Sequence, residues 1–134
     1  MGSVENTAVP VLIVDDQAPF RGAARAVLSL MPGFVVVGEA ESGEQAVDMV
    51  ASLHPGLVLM DINMDGINGI EATRRITADH PGTVVVLAST YSEEDLPSDA
   101  MTSGAAAYVN KEELDPFLLL EIWEHRTNGA SPTG

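Results

Sequence analysis

The sequence predicts an α/β domain built on one parallel sheet with helices on both faces. Three observations predict it: five short apolar runs that stop abruptly at polar residues, a helix-period segment after each run, and Pro or Gly punctuation between the units. With 134 residues, 46% of them hydrophobic, the chain makes one domain with its own core and short tails.

Val9 to Val14 is almost wholly apolar and ends at Asp15-Asp16, as a strand covered on both faces does. Phe20, Ala24, Val27 and Leu28 then recur at helical spacing until Met31-Pro32-Gly33. Phe34 to Val37 is the second strand. Ser42-Gly43-Glu44-Gln45 reads as a capping box before a helix that turns Ala46, Val47, Val50 and Leu53 inward, closed by His54-Pro55-Gly56. Leu57 to Met60 is the third strand, ending at Asp61. A loop with Gly66 and Gly69 leads to a helix carrying Ile70, Thr73 and Ile76, and Pro81-Gly82 follows. Val84 to Ala88 is the fourth strand, running into Ser89-Thr90-Tyr91-Ser92 and a fourth helix to about Ser103, which Pro97 distorts or shortens. Ala107-Tyr108-Val109 is the fifth strand. Asp115-Pro116 supplies a cap and a first helical residue for a fifth helix through Trp123 to about Arg126. The domain is thus expected over 9–126, with an unstructured tail at 1–8 and a tail or start of a linker at 127–134.

Composition excludes several functions. No apolar run approaches the roughly 18 residues of a membrane span, and no basic-then-apolar leader opens the chain, so a soluble, cytoplasmic protein is the expectation. Six Lys+Arg against 20 Asp+Glu give a net charge of −14, which repels nucleic acid and anionic lipid. The absence of cysteine removes thiol nucleophiles and thiolate metal sites, leaving oxygen ligands suited to hard cations such as Mg²⁺.

In an open parallel sheet, ligands bind at the carboxyl ends of the strands. Strand one delivers Asp15 and Asp16 there, strand three Asp61, strand four Ser89, and Lys111 follows strand five. Three converging carboxylates repel one another unless a cation neutralises them, so the cluster fits a divalent metal, with the Asn63 backbone carbonyl as a further ligand. A phosphoryl group on Asp61 would be neutralised by Mg²⁺ and by Lys111, the only lysine in the chain, and would accept from the Ser89 hydroxyl.

This ordered set resembles the receiver domain of bacterial two-component response regulators, over about residues 9 to 126. The resemblance rests on Asp15-Asp16, on Leu57-Val58-Leu59-Met60-Asp61-Ile62-Asn63-Met64 with Gly66 and Gly69, on Ser89, and on Gly104 to Lys111; Ser89 follows Asp61 by 28 residues and Lys111 follows Ser89 by 22. It implies a flavodoxin-like (βα)5 doubly wound sheet with strand order 2-1-3-4-5. It implies that Asp61 is the phospho-acceptor, that Asp15 and Asp16 are the acidic Mg²⁺ pair, that Lys111 contacts the phosphoryl group, and that Ser89 and Tyr108 form the switch. The implied partner is a sensor histidine kinase; the resemblance also allows a second copy through the fourth and fifth helices, and it is equally compatible with a DNA-binding output domain beyond the C-terminal linker and with a stand-alone regulator. The implied chemistry is gain and loss of the chain's own phosphoryl group, without turnover of a separate substrate. The chain departs from the family pattern in three places: Asp65 stands where proline is usual, Thr90 follows Ser89 where a small alanine is usual with Tyr91 next, and Pro97 interrupts the fourth helix.

Other readings are weaker. A haloacid-dehalogenase-like phosphatase would need a second acid at Asn63 and a cap insertion. A flavin binder would need a Ser/Thr-Gly-rich loop where Asp15-Asp16 stands. A receiver-like module that works without phosphate is the remaining alternative, opposed by the intact Asp15, Asp16, Asp61 and Lys111. His54, His80 and His125 sit near expected helix ends, share no ligand spacing and receive no chemical role. Glu93-Glu94-Asp95 reads as a helix N-terminus. The run Phe117 to Trp123 carries more apolar residues than one helix face buries, giving either a broadly buried helix or a contact surface.

Overall fold

The computed structural model describes residues 8–64, 66–90, 95–100 and 102–130, the side chains of 127–130 excepted. Strands β1 (Val9–Val14), β2 (Phe34–Ala40), β3 (Leu57–Asp61), β4 (Val84–Ser89) and β5 (Ala107–Asn110) form one parallel sheet in the order β2-β1-β3-β4-β5. Helices α1 (Ala18–Ser29), α2 (Gly43–Leu53), α3 (Gly69–Asp79) and α4 (Pro116–Ala130) cover it.

The two-residue period of the strands divides the core. Leu12, Val14, Val58, Met60, Val85 and Leu87 point to one face and meet Ala46 and Val50 of α2 and Ile70, Ala72 and Ile76 of α3. Val11, Ile13, Leu57, Leu59, Val86 and Val109 point to the other and meet Ala24 and Leu28 of α1 and Leu119 of α4. Every residue of β3 is buried, which is why its sequence runs apolar instead of alternating. In register, Val14 pairs with Met60, Asp61 with Ala88, and Ser89 with Asn110. The strand ends are therefore level, and the residues that follow them share one edge.

Local chemistry sets the helix starts. Ser42 Oγ accepts from the Gln45 amide at 3.1 Å, while Gln45 reaches back to the Glu41 amide at 2.7 Å, one residue earlier than in an ordinary capping box. Asn68 caps α3 through the Glu71 amide at 2.9 Å, and Asp115 caps α4 through the Leu118 amide at 2.8 Å.

Four features differ from expectation. No α-helix forms between β4 and β5 among the described residues; a 3₁₀ turn, Ser98–Ala100, stands there. Pro97 lacks the amide a helix interior needs, and the surrounding Ser, Asp, Thr and Gly are poor helix formers with few apolar residues to bury. Strand β2 runs three residues past Val37, because the register shifts by one between Val11 and Leu12 and pairing resumes from Gly38 to Ala40. Helix α4 continues beyond Arg126 to Ala130, so His125 lies inside it, whereas His54 and His80 do occupy the C-caps of α2 and α3. A further 3₁₀ turn, Lys111–Glu113, follows β5, with Asn110 Oδ1 accepting from the Glu112 amide at 2.8 Å.

The apolar surplus of the last helix is only partly buried. Leu119 is buried, but Phe117 is 83% exposed, and with Leu30, Met31, Pro32, Pro116 and Leu120 it lines a surface hollow of about 300 Å³. Among the described residues no helix is long and apolar enough to cross a membrane. Asp65, Tyr91, Ser92, Glu93, Glu94, Met101 and the tail residues 1–7 and 131–134 lie outside the described residues.

Candidate functional site

Asp15 is the first residue past β1, and each of its polar groups is engaged. Its amide donates to the Ala40 carbonyl at 3.0 Å, its carbonyl accepts from Arg21 Nη1 at 2.7 Å, and its Oδ1 accepts from the Gln17 amide at 2.8 Å. Oδ2 is buried, accepts no directed hydrogen bond, and has the Lys111 ammonium 2.6 Å away. Lys111 also pairs with Asp61 Oδ1 at 3.2 Å. The ammonium thus bridges two buried carboxylates brought from the ends of different strands. The ring of Phe20, in the first turn of α1, lies beneath it at 4.5 Å.

Asp16 is exposed, and ligand oxygens of Asp15, Asp16 and Asp61 lie within 4.8 Å of one another. Beside them a polar recess of about 260 Å³ is lined by Asp16, Asn63, Met64 and Asn68. Two buried carboxylates, a third at the rim and an open polar recess are an all-oxygen set that fits a hard divalent cation. The buried Asp15 Oδ2, paired only with the Lys111 ammonium, is one of the carboxylate oxygens such a cation would meet.

Electrostatics follow from this crowding. Burial, with the Asp15 carboxylate adding to it, pushes Asp61 up to about 6, and Lys111 pulls in the opposite direction. Burial disfavours the Lys111 charge, but the Asp15 and Asp61 carboxylates outweigh it and hold the ammonium above its ordinary value. At the margin, the Arg25 guanidinium holds the Glu39 carboxyl low against its partial burial, with Arg21 assisting.

Ser89 is buried at the end of β4. Its Oγ lies 3.0 Å from the Tyr108 hydroxyl, which also donates to the Ser89 carbonyl at 3.2 Å. The next residue, Thr90, is exposed. Gly69 packs so closely that a Cβ on it would collide with the Asp61 carbonyl, and its amide donates to the Ile62 carbonyl at 2.9 Å. The start of α3 is thereby pressed against the end of β3.

The candidate acceptor, metal-holding and switch residues lie at this edge: Asp15, Asp16, Asp61 and Lys111 in one cluster, Asn63 along the recess, and Ser89 with Tyr108 as a bonded pair. Sequence reasoning missed Phe20 and Arg21. Phe20 was read only as a core residue of α1, and Arg21 is one arginine among five with no motif to mark it. His54 and His80 meet edge to face with ring centroids 6.1 Å apart, at the C-caps of α2 and α3.

Comparison with known proteins agrees with this geometry. The family model of the response regulator receiver domain matches residues 11–122. The transcriptional regulatory protein DegU of Brevibacillus brevis is 36% identical over 118 residues, covering 88% of this chain and 50% of that protein. The response regulator UvrY of Escherichia coli K12 is 39% identical over 103 residues, covering 77% of this chain and 47% of that protein. The chain spans about half the length of these curated relatives. Among solved structures, the response regulator domain of Thermotoga maritima CheB superposes with a TM-score of 0.78 at 30% identity, covering 87% of this chain and 95% of that one. A LuxR-family two-component response regulator from Aurantimonas sp. SI85-9A1 gives a TM-score of 0.80 at 29% identity, covering 91% and 86%. Fold, strand-end chemistry and relatives converge: this chain belongs to the response regulator receiver domain family of two-component systems.

Proposed function

We propose that the chain is a phosphorylation-controlled switch whose acceptor is Asp61. An Asp61 carboxylate oxygen attacks the phosphorus of a phosphohistidine on a sensor histidine kinase. The P–N bond breaks, the imidazole leaves with the electron pair, and an acyl phosphate forms on Asp61. The observation that carries this reading is the Lys111 ammonium held between buried Asp15 and Asp61 at 2.6 and 3.2 Å. A strand-end carboxylate with its own counter-cation is equipped to take on a dianionic group.

Mg²⁺ fits the acidic set, with the Asp15, Asp16 and Asp61 carboxylates and the Asn63 main-chain carbonyl to hold it. When bound it supplies charge neutralisation for the phosphoryl oxygens. Lys111 supplies a fixed positive charge beside Asp15 and Asp61. Ser89 Oγ supplies a hydroxyl donor once it leaves Tyr108, and that exchange couples the acceptor to the β4 and β5 surface. Gain and loss of its own phosphoryl group are the chain's whole chemistry, with no separate substrate turned over.

The switch acts on transcription or on a protein partner, through an output domain in the half of the relatives that this chain does not match, or through a second copy. The setting is cytoplasmic, and the chain itself, at −14, does not contact nucleic acid.

The test is intact mass after incubation with acetyl phosphate and Mg²⁺, beside an Asp61→Asn variant and an EDTA control. A single phosphoryl adduct on the parent, absent from both controls, is expected. No adduct on the parent would turn the reading to a receiver-like module that binds partners without phosphate.

A further inference from the structure

We propose that Arg21 is a positioning residue for the acidic pair: it clamps the Asp15–Asp16 peptide so that both carboxylates face one divalent cation. This rests on the reading of Asp15, Asp16 and Asp61 as a cation site.

The Asp16 carboxylate is exposed and has no hydrogen bond or ion pair of its own among the described residues. Its direction is therefore set by the backbone that carries it. That backbone is held at the Asp15 carbonyl by Arg21 Nη1 at 2.7 Å. The arginine is itself anchored: its side chain is 14% exposed, Nε donates to Glu39 Oε1 at 3.0 Å, and Nη2 lies 3.7 Å from Glu41 Oε2. One planar fork thus ties the end of β2 to the peptide between the two aspartates. A lysine carries its three N–H donors on one nitrogen, which cannot reach acceptors placed to suit the three separate nitrogens of the arginine fork. On the far side, the Gln17 amide holds Asp15 Oδ1 at 2.8 Å, so the clamp also decides where Oδ2 points.

The proposal has a sign that electrostatics alone would reverse. A guanidinium beside a cation site repels the cation, so removing its charge should tighten binding if charge were the whole effect. Losing the clamp frees the peptide and should weaken binding, as disturbance of outer-sphere partners does at metal sites.

Mg²⁺ affinity is measured by titration calorimetry on the full chain at fixed ionic strength, for the parent, Arg21→Met, Arg21→Lys and Arg25→Met. Arg25→Met is the charge control, since Arg25 pairs with the same Glu39 at 2.6 Å and makes no bond to Asp15. The expected order is parent, then Arg21→Lys, then Arg21→Met weaker by roughly tenfold, with Arg25→Met equal to the parent or tighter. Amide exchange without metal gives a second readout, with faster exchange expected at Gln17 in Arg21→Met and unchanged exchange in Arg25→Met. Equal or tighter Mg²⁺ binding by Arg21→Met overturns the proposal and leaves the cation site standing. Failure of the parent to bind Mg²⁺ overturns the cation site, and the proposal with it. If Arg21→Met does not fold, Arg21→Lys decides: parent-like affinity and parent-like exchange at Gln17 overturn the clamp.

Discussion

The hydroxyls of Ser89 and Tyr108 lie 3.0 Å apart, and the same phenol donates to the Ser89 carbonyl at 3.2 Å. Tyr108 therefore holds both the side chain and the main chain of the residue at the end of β4. On the proposed function, a phosphoryl group on Asp61 would have to win the Ser89 hydroxyl from this phenol.

Tyr108→Phe removes both contacts while keeping the ring. The expected cost is about 1 kcal/mol in urea unfolding. Adduct formation with acetyl phosphate is expected to proceed at least as fast as in the parent, because the Tyr108 hold on the Ser89 hydroxyl is removed in advance. Slower adduct formation would mean that Tyr108 assists the acceptor instead of restraining the hydroxyl.

Asp61 gives a pH dependence with a definite sign. In the metal-free protein its folded value is about 6 against an ordinary 3.8, so the folded state binds the extra proton between these values. Its ionisation thus opposes folding fully above about 6, and the penalty disappears as pH falls to 3.8. Asp61→Asn is expected to be more stable than the parent in EDTA at pH 7.5, on the order of 1–3 kcal/mol, the attraction of Lys111 for the Asp61 carboxylate being already contained in that folded value. Thermal unfolding of both proteins across this range checks it, with the gap closing toward acid.

Gly69 should tolerate no side chain. A Cβ there would strike the Asp61 main-chain carbonyl, and neither α3 nor β3 can shift without disturbing the other. Gly69→Ala is expected to lose about 1–3 kcal/mol. The companion Gly22→Ala, with nothing near its Cβ inside α1, is expected to be neutral or stabilising in the same denaturation assay.

Two neighbours on α4 should behave in opposite ways. Leu119 is 2% exposed within the core beneath α1, and Leu119→Ala is expected to cost about 2–5 kcal/mol. Phe117 is 83% exposed, and Phe117→Ala is expected to stay within about 0.5 kcal/mol. Paired urea curves distinguish them, and a large loss at Phe117 would place that ring in a contact within the folded chain.

The sheet and its chemistry were legible because fully buried strands leave little choice of residue. Val11 to Val14 and Leu57 to Met60 could be little other than covered strands, and the charged residues that end them had to share an edge. What the sequence obscured lay where local signals conflict with tertiary ones. Gly38 and Glu39 look like a strand end, yet they pair with Leu12 and Ile13 past a register shift, and Glu39 is needed there as the anchor for Arg21 and Arg25. Pro97 was visible as a disturbance, but not that the segment after it would form a 3₁₀ turn. The cluster of Asp15, Asp16, Asp61 and Lys111 could be read from order and strand ends, whereas Phe20 and Arg21 act through a helix face, and spacing alone does not distinguish that from core packing or solvation.

Lys111 is the sole lysine in the chain, and its side chain is 13% exposed. Any reaction directed at a lysine amine, whether acylation, cross-linking or Lys-specific proteolysis, is thereby a reaction at this site. Capping that one nitrogen would leave Asp15 and Asp61 face to face without the charge between them. Its protection from such reagents consequently reports how tightly the two strand ends are closed, without any label having to be introduced.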